Sequence, residues 1–191
     1  MDSWYPIALF IHVTSAMMLA AGLGIMTVCE FRVGTAWTLE ELRRWVGLAD
    51  KTGKAIGAIA PVLLLSALYL VHLRWGFGQA WIVMALVAFF VMAISGRALI
   101  GSRLYAILEA AIAAGSVTPP VRDMIEEPLL RWHPWVRIGV FSWLLFLMTT
   151  KPGLQGAVVS LIIGLGFSVV LGVMNRAADG RAESSRAFET K

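Results

Sequence analysis

Apolar residues dominate five long segments of the chain, and polar or proline-containing stretches separate them. A helix that crosses a bilayer needs about 20 predominantly apolar residues, because each residue adds about 1.5 Å along the axis. The segments that approach this length are residues 5–28, 55–73, 81–100, 135–150 and 154–174. The fourth is short, and residues 129–132 are its candidate extension. The pattern predicts an all-α membrane bundle of five transmembrane helices.

Basic residues are distributed unevenly between the loops, and this bias predicts the orientation of the bundle. Lysine and arginine accumulate in the loops that stay on the cytoplasmic side. One set of alternating loops, together with the C-terminal tail, holds Arg32, Arg43, Arg44, Lys51, Lys54, Arg103, Arg122, Arg131, Arg176, Arg181, Arg186 and Lys191. The other set holds only Arg74 and Lys151. We therefore expect the N-terminus outside and the C-terminus in the cytoplasm.

The two large cytoplasmic loops carry helix signals of their own. Thr38 followed three residues later by Glu41 is a capping-box pattern, and the apolar residues of 39–46 share one face. This predicts a short interfacial helix on the lipid headgroups. The prolines of the second loop predict another short helix and a bent entry into the fourth span. We expect one transmembrane domain over residues 1–175 and a disordered tail over 176–191, which is small, polar and charged.

Composition supports the membrane class and narrows the function. The 191 residues are 59% hydrophobic and 15% charged, with a mean hydropathy of +0.77, whereas soluble domains are about half apolar and a quarter charged. The net charge is +4, and the basic residues lie beside the spans. They therefore indicate the orientation of the protein in the membrane rather than nucleic-acid binding. The single cysteine, Cys29, excludes an intramolecular disulfide. No catalytic triad, phosphate loop or zinc spacing is present in the sequence, so enzymatic activity stays an open question.

The last span carries a stripe of small residues at every fourth position. Residues four apart share a face of a helix, and small side chains let helices approach closely in lipid. The stripe predicts a packing groove for another helix of this chain, for a second copy in a homo-oligomer, or for a partner membrane helix. Its members are Gly156, Ser160, Gly164, Ser168 and Gly172.

Two histidines are the candidate ligands for a cofactor. His12 lies on a second small-residue stripe, in span one, and is therefore expected to face the bundle. An ionisable residue inside a span points to function, and imidazole is a common axial ligand of haem. His72 lies in the same outer half and is the candidate second ligand. The alternative is a neutral histidine that hydrogen-bonds a neighbouring helix.

Other polar residues lie near the cytoplasmic ends of the spans. Glu30, Arg97 and Arg137 are each about a turn or two from the expected interface. A buried pair between Glu30 and an arginine is one interpretation, and arginine side chains that extend to the headgroups are the other. We expect His133 to be interfacial.

Span one also resembles a known group of membrane proteins. A histidine early in the first span, here His12, with Ala21-Gly22 nine residues on, resembles the family around copper-resistance protein D, as does the segment 148–153, "MTTKPG". That grouping includes haem-binding protoporphyrinogen oxidases of the HemJ type and uncharacterised integral membrane families. The resemblance implies a haem site and a bacterial cytoplasmic membrane. The oxidases also share a lysine within the membrane, and the lysines here lie in loops or the tail, which argues against porphyrinogen oxidation.

These observations lead to two function hypotheses. The first is a protein that binds a b-type haem through His12, with His72 as the possible second ligand, for electron transfer or redox chemistry. The second is a non-enzymatic membrane subunit or assembly partner that packs through the groove of the last helix. A small-solute carrier is less favoured, because the sequence shows no internal repeat.

Overall fold

The structure is a computed structural model, and it describes the backbone of residues 4–189 and the side chains of residues 4–175. All regular elements within that range are helical. They are α1 (Tyr5–Gly34), α2 (Leu39–Arg74), α3 (Ala80–Ile94), a π-helical segment (Ser95–Gly101), α4 (Ser102–Ala114), α5 (Pro119–Ile125), α6 (Pro128–Thr150) and α7 (Leu154–Glu189). The all-α prediction is therefore confirmed. The predicted disorder of 176–191 falls outside the fully described residues.

Within the described residues, four helices are long and apolar enough to cross a membrane. They are Tyr5–Gly34, Leu39–Arg74, the continuous helix Ala80–Ala114 and Leu154–Asn175. These four match predicted spans one, two, three and five and indicate an integral membrane protein. The fourth predicted span, 135–150, lies in α6, which has 23 residues. Since α6 begins at Pro128, it includes the candidate extension 129–132. It is not among the four, and it contains the polar residues His133 and Arg137.

The predicted short interfacial helix over 39–46 is not a separate element in the structure. The capping box is present as predicted: Thr38 Oγ1 accepts a hydrogen bond from the Glu41 N–H at 3.2 Å, and the Glu41 carboxylate accepts one from the Thr38 N–H at 3.1 Å. From there α2 continues unbroken to Arg74. The reason is packing, because the apolar face of 39–46 continues along the next turn to Ala49, which is buried in the same core.

The third helix also differs from the prediction. It continues past residue 100 to Ala114 through the π-helical segment Ser95–Gly101. In the loop that follows, the predicted short helix is present as α5, which begins at the Pro119-Pro120 pair. Proline suits the first helical turn because its missing N–H has no partner there.

The interior consists of two apolar clusters, one at each end of the bundle. The first lies where the end of α1 meets the start of α2, α4, α5 and the start of α6; its buried residues are Met26, Cys29, Val33, Ala36, Leu42, Val46, Ala49, Ile100, Leu104, Ile107, Ala111, Val121, Ile125 and Leu130. The second lies at the opposite end; its residues are Val71, Trp81, Ile82, Ala85, Ala88, Trp143, Leu147 and Ala157. Many large apolar side chains between the clusters face outward, such as Phe10 and Ile163 at 70% and 66% exposure. Lipid covers such surfaces in a membrane protein.

Candidate functional site

His12 is held between α1 and α2 by Ser66. The two helices run antiparallel, and the Ser66 Oγ lies 3.4 Å from the His12 Nδ1. The Ser66 hydroxyl is also within hydrogen-bond distance of the Leu63 carbonyl, at 2.9 Å. When it donates its proton there, its oxygen can accept a hydrogen bond from an N–H at the His12 Nδ1. In that tautomer Nε2 keeps its lone pair and is the nitrogen that can bind a metal.

His72 is not level with His12 in the structure. It follows Ser66 by six residues, which places it about 9 Å farther along α2. The guanidinium of Arg74 lies over the ring of Tyr5, 5.1 Å from its centroid, so this end of α2 lies beside the start of α1. His72 is exposed, whereas His12 is partly buried. The geometry therefore favours His12 over His72 as a ligand.

A second polar site lies between α1 and α6, and we call Glu30, His133 and Arg137 the Glu30 centre. The Glu30 Oε2 accepts a hydrogen bond from the Arg137 Nη2 at 2.5 Å and one from the His133 Nδ1 at 3.2 Å. The side chains of Glu30, Arg137 and His133 are 1%, 6% and 12% exposed. An ion pair this deeply buried is strongly destabilised if one partner is removed.

The sequence suggested a buried glutamate–arginine pair and assigned His133 to the interface. The structure identifies Arg137, not Arg97, as the partner of Glu30, and it places His133 in the same centre. The available signal was spacing: His133 and Arg137 are four residues apart in one helix, so both face the same neighbour. Arg97 is exposed on the π-helical segment.

The hydrogen bonding of the Glu30 centre is incomplete. Both bonds end on one oxygen of the carboxylate, and the Glu30 Oε1 and Arg137 Nε are buried without a hydrogen-bond partner among the residues whose side chains are described. A side-on pairing, with Nε and Nη2 each facing one oxygen, would satisfy both atoms. Unpaired polar atoms are costly away from water, which favours this side-on pairing within the centre.

A narrow cleft lies beside the Glu30 centre. Its volume is about 130 Å³, and its lining residues are Ala20, Leu23, Gly24 and Thr27 of α1 with Arg137, Ile138, Phe141 and Ser142 of α6. We call it the α1–α6 cleft. A Cβ atom at Gly24 would have nothing within 4 Å, so the small residues of α1 leave this space open. Arg137 belongs both to the wall of the cleft and to the Glu30 centre.

The small-residue groove of α7 faces α6 of the same chain. A Cβ atom at Gly164 would lie 3.3 Å from the Gly139 carbonyl oxygen, and one at Gly172 would lie 2.5 Å from the Trp132 ring. The Trp143 Nε1 donates to the Ala157 carbonyl at 3.0 Å and to the Ser160 hydroxyl at 3.1 Å. Of the three partners left open by the sequence, the structure therefore places a helix of this chain in the groove.

A third polar group links α2 to α4 near the π-helical segment. Asp50 accepts hydrogen bonds from Lys54, at 2.6 Å, and from the Tyr105 hydroxyl. Lys54 is mostly exposed, so this group lies at the surface. No three or more His, Cys, Asp or Glu residues within the described range are arranged to hold a metal ion. A haem site does not require such a cluster, because one or two histidines are enough to hold the iron.

Comparisons with known proteins do not identify the chain. No protein-family model, no curated protein and no solved structure matches it.

Proposed function

We propose that α6 is a fifth membrane span, so that the chain crosses the bilayer five times. Its 23 residues extend about 34 Å, slightly more than a hydrocarbon core of about 30 Å. Its strongly polar residues are Arg131, exposed one turn after its start, and His133 and Arg137, which both contact Glu30 inside the bundle. Ionisable residues in membrane segments occur in this form, paired and facing the bundle interior.

The proposed orientation has the N-terminus outside and the C-terminus in the cytoplasm, in a bacterial cytoplasmic membrane. Most basic residues lie at the bundle end that holds the first apolar cluster, and this end would face the cytoplasm. The two basic residues of the other end, Arg74 and Lys151, lie over the rings of Tyr5 and Trp75, at 5.1 and 4.3 Å. Aromatic residues are typical of membrane interfaces. The start of α2 and helix α5 would then lie at the cytoplasmic interface.

For function, we propose that the protein binds a b-type haem through His12. The hydrogen bonding of the His12 ring supports this proposal. Histidines that bind a metal through one nitrogen usually donate the other N–H to an oxygen acceptor, which fixes the ring and raises its basicity. The His12 Nδ1 lies 3.4 Å from the Ser66 hydroxyl, which can serve as that acceptor.

The geometry fits one histidine ligand better than two. His72 remains the candidate second ligand, but it lies about 9 Å farther along α2 than Ser66, the neighbour of His12. A haem in the bundle would supply one-electron redox chemistry, with its potential set by the ligand and by burial. The chain itself would hold the iron through His12, fix the ring through Ser66 and keep the group away from water.

The test is an absorption spectrum of the purified full-length protein, made in cells supplied with haem. We expect a Soret band that shifts when dithionite is added. His12→Ala should abolish the band, and His72→Ala should have the smaller effect. His133→Ala is the matched control, because His133 lies in the Glu30 centre and should leave the band unchanged. A colourless wild-type preparation would overturn the proposal.

The alternative proposal, a non-enzymatic subunit that binds a partner through the α7 groove, has less support. Gly139, Trp132 and Trp143 of α6 already occupy that groove. A partner helix would have to use another face of the chain.

A further inference from the structure

Residues 89–99 of the helix Ala80–Ala114 lie between the two apolar clusters and belong to neither. Ala88, just before them, packs in the second cluster, and Ile100, just after them, packs in the first. The helix changes its neighbours here, because α3 packs against α6 and α7 whereas α4 packs against α2. None of residues 89–99 is buried. The π-helical segment Ser95–Gly101 closes this stretch, and such segments are frequent at functional sites.

An open groove runs along this uncovered stretch. Its lining residues are Ala93, Ile94, Arg97 and Ala98, and we call it the Arg97 groove. Ile94 is 63% exposed, so the described part of the chain leaves the apolar surface of the groove uncovered. Arg97 is itself part of the wall, and it is exposed as well. The groove therefore combines an apolar surface with one cation.

We propose that the Arg97 groove binds one anionic glycerophospholipid, whose phosphate contacts the Arg97 guanidinium and whose acyl chain lies against Ala93 and Ile94. The inference depends neither on haem binding nor on the orientation of the bundle. Three observations support it: the unbalanced charge of Arg97, the depth of that charge in the membrane and the apolar surface beside it.

The first observation is the charge. Arg97 makes no ion pair or hydrogen bond with any residue whose side chain is described. Asp50 is close enough to interact with it electrostatically, but both oxygens of that carboxylate already accept hydrogen bonds, one from Lys54 and one from the Tyr105 hydroxyl. Asp50 and Lys54 balance each other, so the charge of Arg97 remains. A guanidinium binds phosphate oxygens through two parallel N–H bonds, and a phosphate would supply the missing counterion.

The second observation is depth. Trp81 packs edge-on against Trp75, and the Lys151 ammonium lies over the Trp75 ring, so these residues mark one membrane interface. Arg97 follows Trp81 by about 24 Å of helix, in a hydrocarbon core of about 30 Å. Its backbone is then about 6 Å short of the opposite interface, and an arginine side chain that extends toward the headgroups covers that distance. The earlier residues of the groove lie toward the middle of the membrane, the direction in which an acyl chain runs.

The third observation is that an apolar surface and a cation occur together, which selects the occupant. A second apolar helix in the groove would cover the Arg97 charge without a counterion, which is costly. A phosphatidylcholine headgroup carries its own ammonium, which would lie beside Arg97 and Lys54. An anionic headgroup brings only negative charge, and basic pockets between membrane helices bind such headgroups.

The test is native mass spectrometry of the full-length protein in detergent, after delipidation and titration with one lipid at a time. The probes are phosphatidylglycerol and phosphatidylcholine with identical acyl chains, so that only the headgroups differ. We expect the protein to retain one phosphatidylglycerol molecule and to bind it about fivefold more tightly than phosphatidylcholine, the effect of about one basic residue at a membrane surface. Equal binding of the two lipids would overturn the proposal.

Arg97→Gln removes the charge and should abolish the preference, whereas Arg97→Lys should keep part of it, because the ammonium is still a cation. Arg43→Gln is the matched control: Arg43 is also exposed, and it too has no ion pair among the described side chains, but it lies near the start of α2. We expect Arg43→Gln to bind phosphatidylglycerol as the wild type does. An equal loss in Arg43→Gln and Arg97→Gln would mean general attraction to the basic end of the bundle and would overturn the proposal.

Ala93→Trp tests the groove independently of the charge, because the indole would occupy the surface on which the acyl chain is expected to lie. Ala21→Trp is its control, since Ala21 is also an exposed alanine within a long apolar helix but lies on α1. Both positions are exposed, so neither variant disturbs the packed interior. We expect Ala93→Trp to lose the retained phosphatidylglycerol and Ala21→Trp to keep it. Unchanged retention in Ala93→Trp, or the same loss in both variants, would contradict a site in this groove.

Discussion

Gly139 of α6 and Ser168 of α7 are in such close contact that a Cβ atom on Gly139 would overlap the Ser168 hydroxyl. The same atom would lie 2.7 Å from the Gly164 carbonyl oxygen. The Ser168 hydroxyl in turn donates to that carbonyl at 2.9 Å. Small residues let the two backbones approach this closely, and in lipid such packing drives helix association.

Gly139→Ala should therefore destabilise the α6–α7 pair by about 1–3 kcal/mol, the usual cost of overpacking. The measurement is the free energy of unfolding in detergent. Because backbone atoms of Gly164 are involved, rotation of a side chain cannot relieve the overlap. Gly166→Ala is the control, since nothing lies within 4 Å of its Cβ position and alanine favours a helix over glycine. Equal stability of the two variants would contradict this packing.

Periodicity alone was enough to find this groove, but it could not identify the partner. Every fourth residue of α7 from Gly156 to Gly172 is small, which marks a face and says nothing of what covers it. The missing information was on α6, where Gly139 stands alone among large residues. A single glycine has no period, so no pattern marked it.

Gly164→Leu separates the two interpretations of the groove. The structure predicts a less stable single chain, because a larger side chain would push against the Gly139 carbonyl. The subunit alternative predicts instead a normally folded chain that no longer assembles. Unfolding free energy and oligomer mass, measured on the same detergent sample, distinguish them. A Gly164→Leu variant that is as stable as the wild type but forms a smaller oligomer would favour the subunit alternative.

Glu30→Gln should be strongly destabilising, by about 3–5 kcal/mol, because it leaves Arg137 charged, buried and unpaired. The double variant Glu30→Gln with Arg137→Gln should recover much of that loss, since no buried charge remains. The measurement is again the free energy of unfolding. Glu40→Gln is the matched control: Glu40 also pairs with an arginine, Arg44 at 3.5 Å, but both are exposed, so the expected change is below about 1 kcal/mol. A loss for Glu30→Gln no larger than that for Glu40→Gln would contradict the assignment.

The Glu30 centre also shows where hydropathy stops being informative. His133 and Arg137, together with Arg131 at its start, lower the hydropathy of α6, and His133 and Arg137 become compatible with lipid once Glu30 pairs with them. Hydropathy treats each residue alone, whereas the cost of a charge depends on its partner on another helix. The pairing joins residues 107 positions apart, and nothing in one sequence fixes such a contact.

Thr38→Ala should destabilise the start of α2 by about 1 kcal/mol, because it removes the side-chain acceptor of the Glu41 N–H. Hydrogen exchange at residues 39–46 is the measurement, and faster exchange there is expected. Thr149→Ala is the control, since that hydroxyl only bonds carbonyls of its own helix.

The sequence predicted this cap correctly but not the length of α2. A cap signals only where a helix begins, and tertiary packing of Leu42, Val46 and Ala49 determines how far it continues.

Ser66→Ala tests the proposed role of His12 without removing the histidine. Loss of the Ser66 oxygen removes the hydrogen-bond partner of the His12 Nδ1, so the ring should be held less firmly and Nε2 should be less basic. We expect haem affinity to fall about 10- to 100-fold, the usual effect of removing such a partner, with a changed midpoint potential. Titration of the apoprotein with haem, followed at the Soret band, measures the affinity.

Ser95→Ala is the matched control, because Ser95 also bonds a carbonyl three residues earlier but belongs to the π-helical segment. Unchanged affinity and potential in Ser66→Ala would show that this hydroxyl only packs the helices and would remove the main structural support for His12 as the haem ligand.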